Sequence, residues 1–501
     1  MPFGPTHDLI KTLSTWTLDA FFQSITSTNA NVVPKAGPLI VASTHWNMIM
    51  DPALLSTRLT HGRKLHYWSK NTLFKNPIIK FILIDSGNIP VDRTTKNNQL
   101  LFKGTFDVLK LGEAVALFPE GTSYTQPRIM QIKDGIGWTA LEYAKNLRLT
   151  GNSLSGSPET AAGLTTVPGP PAQDVTIVIV GLNYTEKDAY RSSVQLEYAQ
   201  PITLSADLVV KFMSEGEGEA KVAVKELVGE LERRLRSVTV NAPDWPTLWC
   251  VKIVREMIWA DGHGPMETYR DSMQRLINLL ALDSAHSSPA LTSLHADLLA
   301  YHDQLKAAHT THRIFAQAFR SSATGLLAAR LTAVAEICMR WPFFFVPAIA
   351  HLPIYAGSYL GSRLQPLEPE SMAQNMAAVG MFAGLASVPV YVCLLSSLLL
   401  KGSDRSLLAR VLAWALSLGF LLVLRAIHDR LVDGFYDAYK RLKLVLRLDQ
   451  DKLEVLKACR QKCEEGWDQV LTADQEDLVK VLRSRGGRFE GGGGGVRLKK
   501  D

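Results

Sequence analysis

The run GPLIVASTHWNMIMDP, residues 37–52, decides how the first part of the chain is read. Its opening, Leu39 to Ser43, is short, apolar and partly β-branched, which predicts a strand buried on both faces. The strand does not continue: His45 and Asp51 follow it, set among Trp46, Met48, Ile49 and Met50, in company that belongs in a core. An imidazole and a carboxylate are costly to bury unless they satisfy each other or do chemistry. Both therefore fall on the loop or first helical turn after the strand, where α/β domains carry their sites. As a pair they form a general base, in which the carboxylate fixes the tautomer and the imidazole accepts a hydroxyl proton. The plainer reading, a satisfied core or capping contact, yields only if other segments point the same way.

Working outward, β-rich runs (GPLIVAST, 37–44; AVALFPEG, 114–121) alternate with helical ones (NPIIKFILIDSG, 76–87; NQLLFKGTFDVLKLG, 98–112). This is the pattern of βαβ units around a partly parallel sheet, to which VTIVIVGLNY, 175–184, adds a strand. In GNIPVDR, 87–93, Gly87 permits a tight turn and Arg93 ends a short extended run with a planar donor fork suited to phosphate. In LFPEGTS, 117–123, an apolar strand delivers Glu120, then Gly121, whose missing side chain lets a substrate approach the backbone, then the hydroxyls of Thr122 and Ser123. Each segment alone is weak, since an Arg at a strand end and a Glu-Gly turn are common. Their order along the chain makes the signal.

Composition sets the frame for these motifs. A chain of 501 residues with 47% apolar and 20% charged side chains holds two or three folded units and is not disordered throughout. Its five cysteines are too dispersed for a disulfide framework, and neither Cys459 and Cys463 nor His61 and His66 have the companions a metal site needs, so reduced thiols and no metal are expected. Residues 1–30 read as an amphipathic N-terminal helix with Leu9, Leu13, Trp16 and Ala20 on one face, lying on a membrane or on its own domain. Residues 31–205 hold the motifs, interrupted by a Gly, Ser, Thr and Pro-rich insertion at 150–174. Residues 206–335 form a helical region whose Trp245, Trp249 and Trp259 face either the sheet domain or the bilayer.

Residues 336–430 differ in kind. The stretch 376–400 has no charge over 25 residues, long enough to cross a hydrocarbon core of about 30 Å. The stretch 407–427 reaches spanning length with Arg410 able to snorkel, and 341–360, with Pro342, Pro347 and Pro353, reads as a broken span or a re-entrant segment. Two or three spans are expected. A helical C-terminal region, 431–483, carries the basic amphipathic KRLKLVLRL, 440–448, which suits a membrane surface rather than nucleic acid; residues 484–501 read as a disordered Gly-rich basic tail.

Taken in order, HWNMIMDP, GNIPVDR, LFPEGTS and IVIVGLNY resemble the four blocks of the glycerolipid acyltransferase superfamily, the phosphate acyltransferases with a PlsC-like domain. The resemblance covers roughly residues 37–205 and is nearest to the fungal glycerol-3-phosphate/dihydroxyacetone-phosphate acyltransferases, which similarly carry membrane segments after the catalytic domain. It implies an α/β domain with a mixed sheet flanked by helices, followed by a helical region and a membrane-embedded helical segment. It also implies that His45 takes the proton from a substrate hydroxyl, that Asp51 orients it, and that the oxygen attacks an acyl-CoA thioester directly. By the same resemblance Arg93, with Glu120, Gly121 and Thr122 beside it, binds the acceptor phosphate, and Lys133 supplies a second positive charge. Acyl-CoA enters as co-substrate, with no cofactor and no metal.

Three departures matter. Five residues separate His45 from Asp51 where the family pattern has four, Ile179 stands where the fourth block usually has Pro, and Ser123 replaces an Arg common in lysophosphatidate acyltransferases. The last favours the first acylation step, on the sn-1 hydroxyl of glycerol-3-phosphate or dihydroxyacetone phosphate. The alternatives are a lysophospholipid acyltransferase or transacylase, or an inactive lipid-binding membrane protein. Membrane segments suit an acyl donor with a water-soluble head and a lipid-partitioning tail, and the family places such enzymes in the endoplasmic reticulum with the catalytic domain facing the cytosol.

Overall fold

The computed structural model describes residues 3–91, 98–154, 174–214, 216–259, 264–281, 288–321, 323–364, 368–400 and 406–474. The chain divides into two units, one of residues 1–239 with 367–374, the other of residues 240–366 with 375–501. The first contains the sheet. Its elements run α1 (Pro5–Phe21), β1 (Ser24–Thr28), β2 (Leu39–Ser43), α2 (Met50–Arg58), β3 (Leu65–Lys70), α3 (Pro77–Asp85), β4 (Ile89–Val91), α4 (Asn98–Lys110), β5 (Ala114–Leu117), α5 (Gly135–Leu154), β6 (Thr176–Tyr184), β7 (Ser193–Tyr198), β8 (Ile202–Thr203), α6 (Ala206–Met213) and α7 (Glu217–Ser237).

The strands follow the order β1-β7-β6-β2-β5-β3-β4, with β8 beside β6. β2 lies in parallel between β5 and β6, whereas β6 and β7 are antiparallel, so the sheet is mixed. All five residues of β2 are buried, as a strand covered on both faces requires. Alternate side chains serve opposite cores. Ile40 and Ala42 join Val115, Leu117, Ile177 and Ile179 under Leu141, Val224, Leu227 and Leu231 of α5 and α7. Leu39 and Val41 join Ala114, Val178 and Val180 with Leu55 of α2 on the other face.

Two expectations change here. Residues 24–28, expected within the N-terminal helix, form an edge strand parallel to β7; their Ser-Ile-Thr-Ser-Thr composition fits a half-buried pleat better than a helix. α1 itself packs on its own unit through Leu18 and Phe21, leaving Leu9 and Trp16 exposed. Residues 206–239, expected in the separate helical region, belong to the sheet unit, because the Val224, Leu227, Leu231, Leu235 stripe of α7 covers the sheet.

The second unit is helical: α8 (Trp245–Ile258), α9 (Tyr269–Leu280), α10 (Pro289–Ala307), α11 (His312–Ala318), α12 (Leu326–Gly361), α13 (Pro369–Leu399), α14 (Leu407–Arg447) and α15 (Gln450–Asp474), the first turn of α13 counting with the sheet unit. Trp467, Tyr301, Phe315 and Phe319 anchor its core, and Trp259 is buried in it. Trp249 stacks between Trp245 and His302 with both tryptophans half-buried, while Trp259, expected against the sheet domain or the bilayer, lies in the core of this helical unit.

α12, α13 and α14 are each long and apolar enough to cross a membrane. The proline-containing segment, expected as broken or re-entrant, is one continuous helix with Pro342, Pro347 and Pro353 inside it. α12 and α14 also continue without interruption into the buried core: Ala329 and Ala333 of the first and Leu444 and Val445 of the second lie in the cluster around Trp467. Small residues let α12 and α13 approach closely, since a Cβ on Gly357 would sit 2.7 Å from the Ala383 methyl. Arg441 donates to Glu336 from α14 to α12, and Arg313 makes a two-pronged pair with Asp437 at 2.6 and 2.8 Å.

Gly181 tests the sheet packing. A Cβ there would lie 2.0 Å from the Val238 carbonyl oxygen, a backbone atom unable to rotate aside. Gly181→Ala should cost about 1–3 kcal/mol of stability by overpacking, read as a lower thermal midpoint of the purified protein.

Candidate active site

Three neighbouring strands deliver the site. In the parallel register Ala42 of β2 faces Leu117 of β5 and Ser43 faces Val180 of β6. The chain beyond their carboxyl ends therefore converges: His45 and Asp51 after β2, Phe118 to Gly121 after β5, and Tyr184 to Lys187 from the end of β6. Ligand sites of α/β sheets form at this edge.

Asp51 is fully buried in the first turn of α2. Its Oδ2 accepts from the Asn47 backbone N–H at 2.7 Å and pairs with His45 Nδ1 at 2.9 Å, while Oδ1 accepts the Tyr184 hydroxyl at 2.5 Å. Burial and the adjacent Asp51 charge push the Tyr184 phenol well above its ordinary range, so it stays a proton donor to the carboxylate. A carboxylate on Nδ1 selects the tautomer with the proton on Nδ1 and leaves the Nε2 lone pair open. The His45 ring stacks on Phe118 with centroids 4.0 Å apart, which fixes its plane. Its side chain keeps 17% of its surface exposed, enough for a substrate hydroxyl to reach it. The additional residue between His45 and Asp51 does not separate them; the loop absorbs it and buries Met50.

Glu120, expected beside the acceptor phosphate, has its carboxylate turned inward. It is 1% exposed, with Oε1 accepting from the His45 backbone N–H and Oε2 from the Met130 N–H, each at 3.0 Å. Burial, with a contribution from Asp51, pushes its carboxyl up to about 8. The geometry makes it a brace that holds the His45 backbone from the neighbouring strand. Gly121 adopts φ +80°, and a Cβ there would come 2.4 Å from Lys133 Nζ, so the glycine is what admits the exposed Lys133 side chain. Thr122 is also exposed beside them. Arg93 lies outside the described residues.

Several residues join the site that the sequence did not single out. Lys187, three positions beyond Tyr184, is a mostly buried ammonium. It donates to the carbonyls of Trp46 at 3.2 Å and Tyr124 at 3.1 Å and to the Thr125 hydroxyl at 2.5 Å, and it pairs with Glu370 at 3.4 Å. Asn47 donates from its side chain to the Lys187 carbonyl at 2.9 Å, closing the network on the His45 loop. Glu370 also accepts from Thr125. Four positions on, Gln374 accepts the Ile49 N–H at 3.2 Å. The start of α13 is thereby tied to the loop that carries His45. Burial lowers the Lys187 pKa, offset in part by Glu370. Among the described residues no three His, Cys, Asp or Glu side chains converge as a metal site.

Such a site, a histidine and carboxylate braced at the carboxyl edge of a mixed sheet, has the makings of an acyl-transfer centre. The family model described as Acyltransferase matches residues 24–158, and this segment is an acyltransferase-family domain. Among curated proteins the chain is 28% identical over 161 residues to glycerol-3-phosphate O-acyltransferase 2 of Saccharomyces cerevisiae, covering 32% of this chain and 18% of that protein. It is 24% identical over 208 residues to glycerol-3-phosphate O-acyltransferase 1 of the same yeast, covering 41% and 24%. An uncharacterized acyltransferase of Schizosaccharomyces pombe is 28% identical over 196 residues, 39% of this chain and 25% of that one. The matched region thus spans a quarter or less of each of these relatives. Among solved structures, the 1-acyl-sn-glycerophosphate acyltransferase PlsC of Thermotoga maritima aligns over 45% of this chain and 80% of its own at 16% identity, with a TM-score of 0.28, too loose a superposition to bear on the fold.

Removing the Lys187 ammonium would leave Glu370 buried without its cation and take donors from the Trp46 and Tyr124 carbonyls. Lys187→Met should destabilise the protein by about 3–5 kcal/mol. Thermal unfolding of membranes or detergent-purified protein reads this, and Lys187→Arg should recover part of the loss.

Proposed function

We propose that the protein is a membrane-bound acyltransferase that moves a fatty acyl group from acyl-CoA to the sn-1 hydroxyl of glycerol-3-phosphate or dihydroxyacetone phosphate. The observation that carries this reading is the His45–Asp51 pair, with Nδ1 committed to a buried carboxylate at 2.9 Å and the imidazole side chain 17% exposed. The acceptor class is favoured by the two yeast relatives, both glycerol-3-phosphate O-acyltransferases, and by Ser123 standing in the third block.

In this mechanism the acceptor hydroxyl donates to His45 Nε2. As its oxygen attacks the thioester carbonyl carbon, the proton passes to the imidazole, and Asp51 stabilises the imidazolium across Nδ1–H. The tetrahedral intermediate collapses with rupture of the C–S bond, and the proton on Nε2 neutralises the departing CoA thiolate. The new ester is released and His45 returns to its starting tautomer. No acyl-enzyme forms. Lys133 beside Gly121, together with Arg93 and Thr122, takes the acceptor phosphate, and Glu120 acts through the His45 backbone rather than by touching the ligand.

The three apolar helices associate the chain with a membrane, where the acyl tail of the donor and the lipid product partition. A location in the endoplasmic reticulum with the site facing cytosolic acyl-CoA fits that chemistry, and no cofactor or metal is required by it.

Membranes containing the protein should transfer labelled acyl groups from acyl-CoA to glycerol-3-phosphate or dihydroxyacetone phosphate, and His45→Ala should lower the rate by about 10²–10⁴-fold. Activity confined to lysophosphatidate would reassign the acceptor, and unchanged activity in His45→Ala would remove the mechanism.

A further inference from the structure

A helix that joins two parallel strands crosses the sheet and normally buries an apolar face against it. α3 joins the parallel strands β3 and β4 and does not do so. Six of its nine residues are Ile, Leu or Phe, yet none of the nine is buried; Ile78 is 70% and Phe81 65% exposed. Ile79, Ile82 and Ile84 are also exposed, and Leu73 in the preceding turn extends the surface.

The helix is firmly built. Asn76 caps its start by accepting from the N–H groups of Ile78 and Ile79 at 3.0 and 3.2 Å. At its end the Asp85 carbonyl accepts from Gly4 and the Asp85 carboxylate from the Thr6 N–H, each at 2.8 Å, fastening α3 to the start of α1. A well-capped helix that is mostly apolar and left uncovered by the described residues of its unit calls for an apolar environment outside it. Its charge says which one. From Leu65 to Asp85 the chain carries Lys70, Lys75 and Lys80, all exposed, against one acid, Asp85, whose carboxylate accepts from the Thr6 N–H. Lysines on long stems around an apolar helix can place ammonium groups at headgroup level while the helix enters the acyl region. The same chain has three helices long and apolar enough to cross a bilayer.

We propose that α3, with Leu73 and the flanking lysines, is a membrane-docking surface of the catalytic unit itself, inserting into a leaflet that carries anionic headgroups. This contact is separate from the spanning helices and does not rest on the chemistry assigned to His45.

The test uses the full chain in lipid nanodiscs containing phosphatidylcholine and phosphatidylserine, with a photo-crosslinking residue introduced as Phe81→p-benzoylphenylalanine and, for comparison, at exposed Val222 on α7. Mass spectrometry should find phospholipid adducts at position 81 several-fold above those at 222. The yield should fall several-fold in discs of phosphatidylcholine alone and in the combined Lys70→Gln, Lys75→Gln, Lys80→Gln variant. Adducts to a peptide of this chain or of a second copy, adducts only to added acyl-CoA, or the absence of lipid adducts would overturn the proposal. Equal yield with and without phosphatidylserine would overturn its anionic preference. Acyl transfer is not the readout, so the outcome is independent of the proposed reaction.

Discussion

The arrangement depends on one buried carboxylate. Taking Asp51 out of water costs several kcal/mol, which its three donors offset at about 1.5–3 kcal/mol each for bonds to a charged group. Those donors come from its own loop, through the Asn47 N–H and His45, and from the end of β6, through Tyr184. The neighbouring strand β5 contributes Glu120, which grips the His45 backbone from the opposite side. The parallel register of β5, β2 and β6 is therefore what makes the site possible: a slip of one residue would turn alternate side chains to the wrong face and separate the donors from the acceptor.

How much of this is legible in sequence depends on where each residue finds its partner. His45 and Asp51 betray themselves because a titratable pair in an apolar run has to be explained, and their partners are local. β2 is equally readable, since a run of five buried apolar or small residues has few other uses. Lys187 is not, because it satisfies backbone carbonyls, which have no sequence signature, and a carboxylate 183 positions away. Glu120 stands in the expected block; the motif locates the residue, while only the fold shows its oxygens turned inward to the His45 and Met130 N–H groups. Trp259 misleads in the same way, since a tryptophan near a helix end suits a membrane interface and a helical core alike, and tertiary packing decides.

The helical unit shows how an apolar stretch of membrane-crossing length and a buried core can share an element. α14 has 41 residues, about 60 Å at 1.5 Å per residue, twice the thickness of a hydrocarbon core. Its apolar first half meets the requirement for a span, and its second half enters the core around Trp467. α12 repeats the pattern in the opposite direction, and the Arg441–Glu336 and Arg313–Asp437 pairs sit where the helices have left their charge-free stretches. The boundaries suggested by hydropathy therefore mark changes of surroundings along continuous helices, not breaks in them. Glu370 and Gln374, in the short segment 367–374 that belongs to the sheet unit, contact the candidate site.

The most direct test of the His45–Asp51 mechanism is the rate of acyl transfer by Asp51→Asn in membranes, compared with the unaltered protein at equal abundance and equal thermal midpoint. An amide keeps the shape but no longer fixes the His45 tautomer or stabilises its imidazolium, so the mechanism predicts a fall of about 10²–10⁴-fold. A rate within a few-fold of the unaltered protein would contradict it, because the buried carboxylate would then hold the loop without taking part in the chemistry.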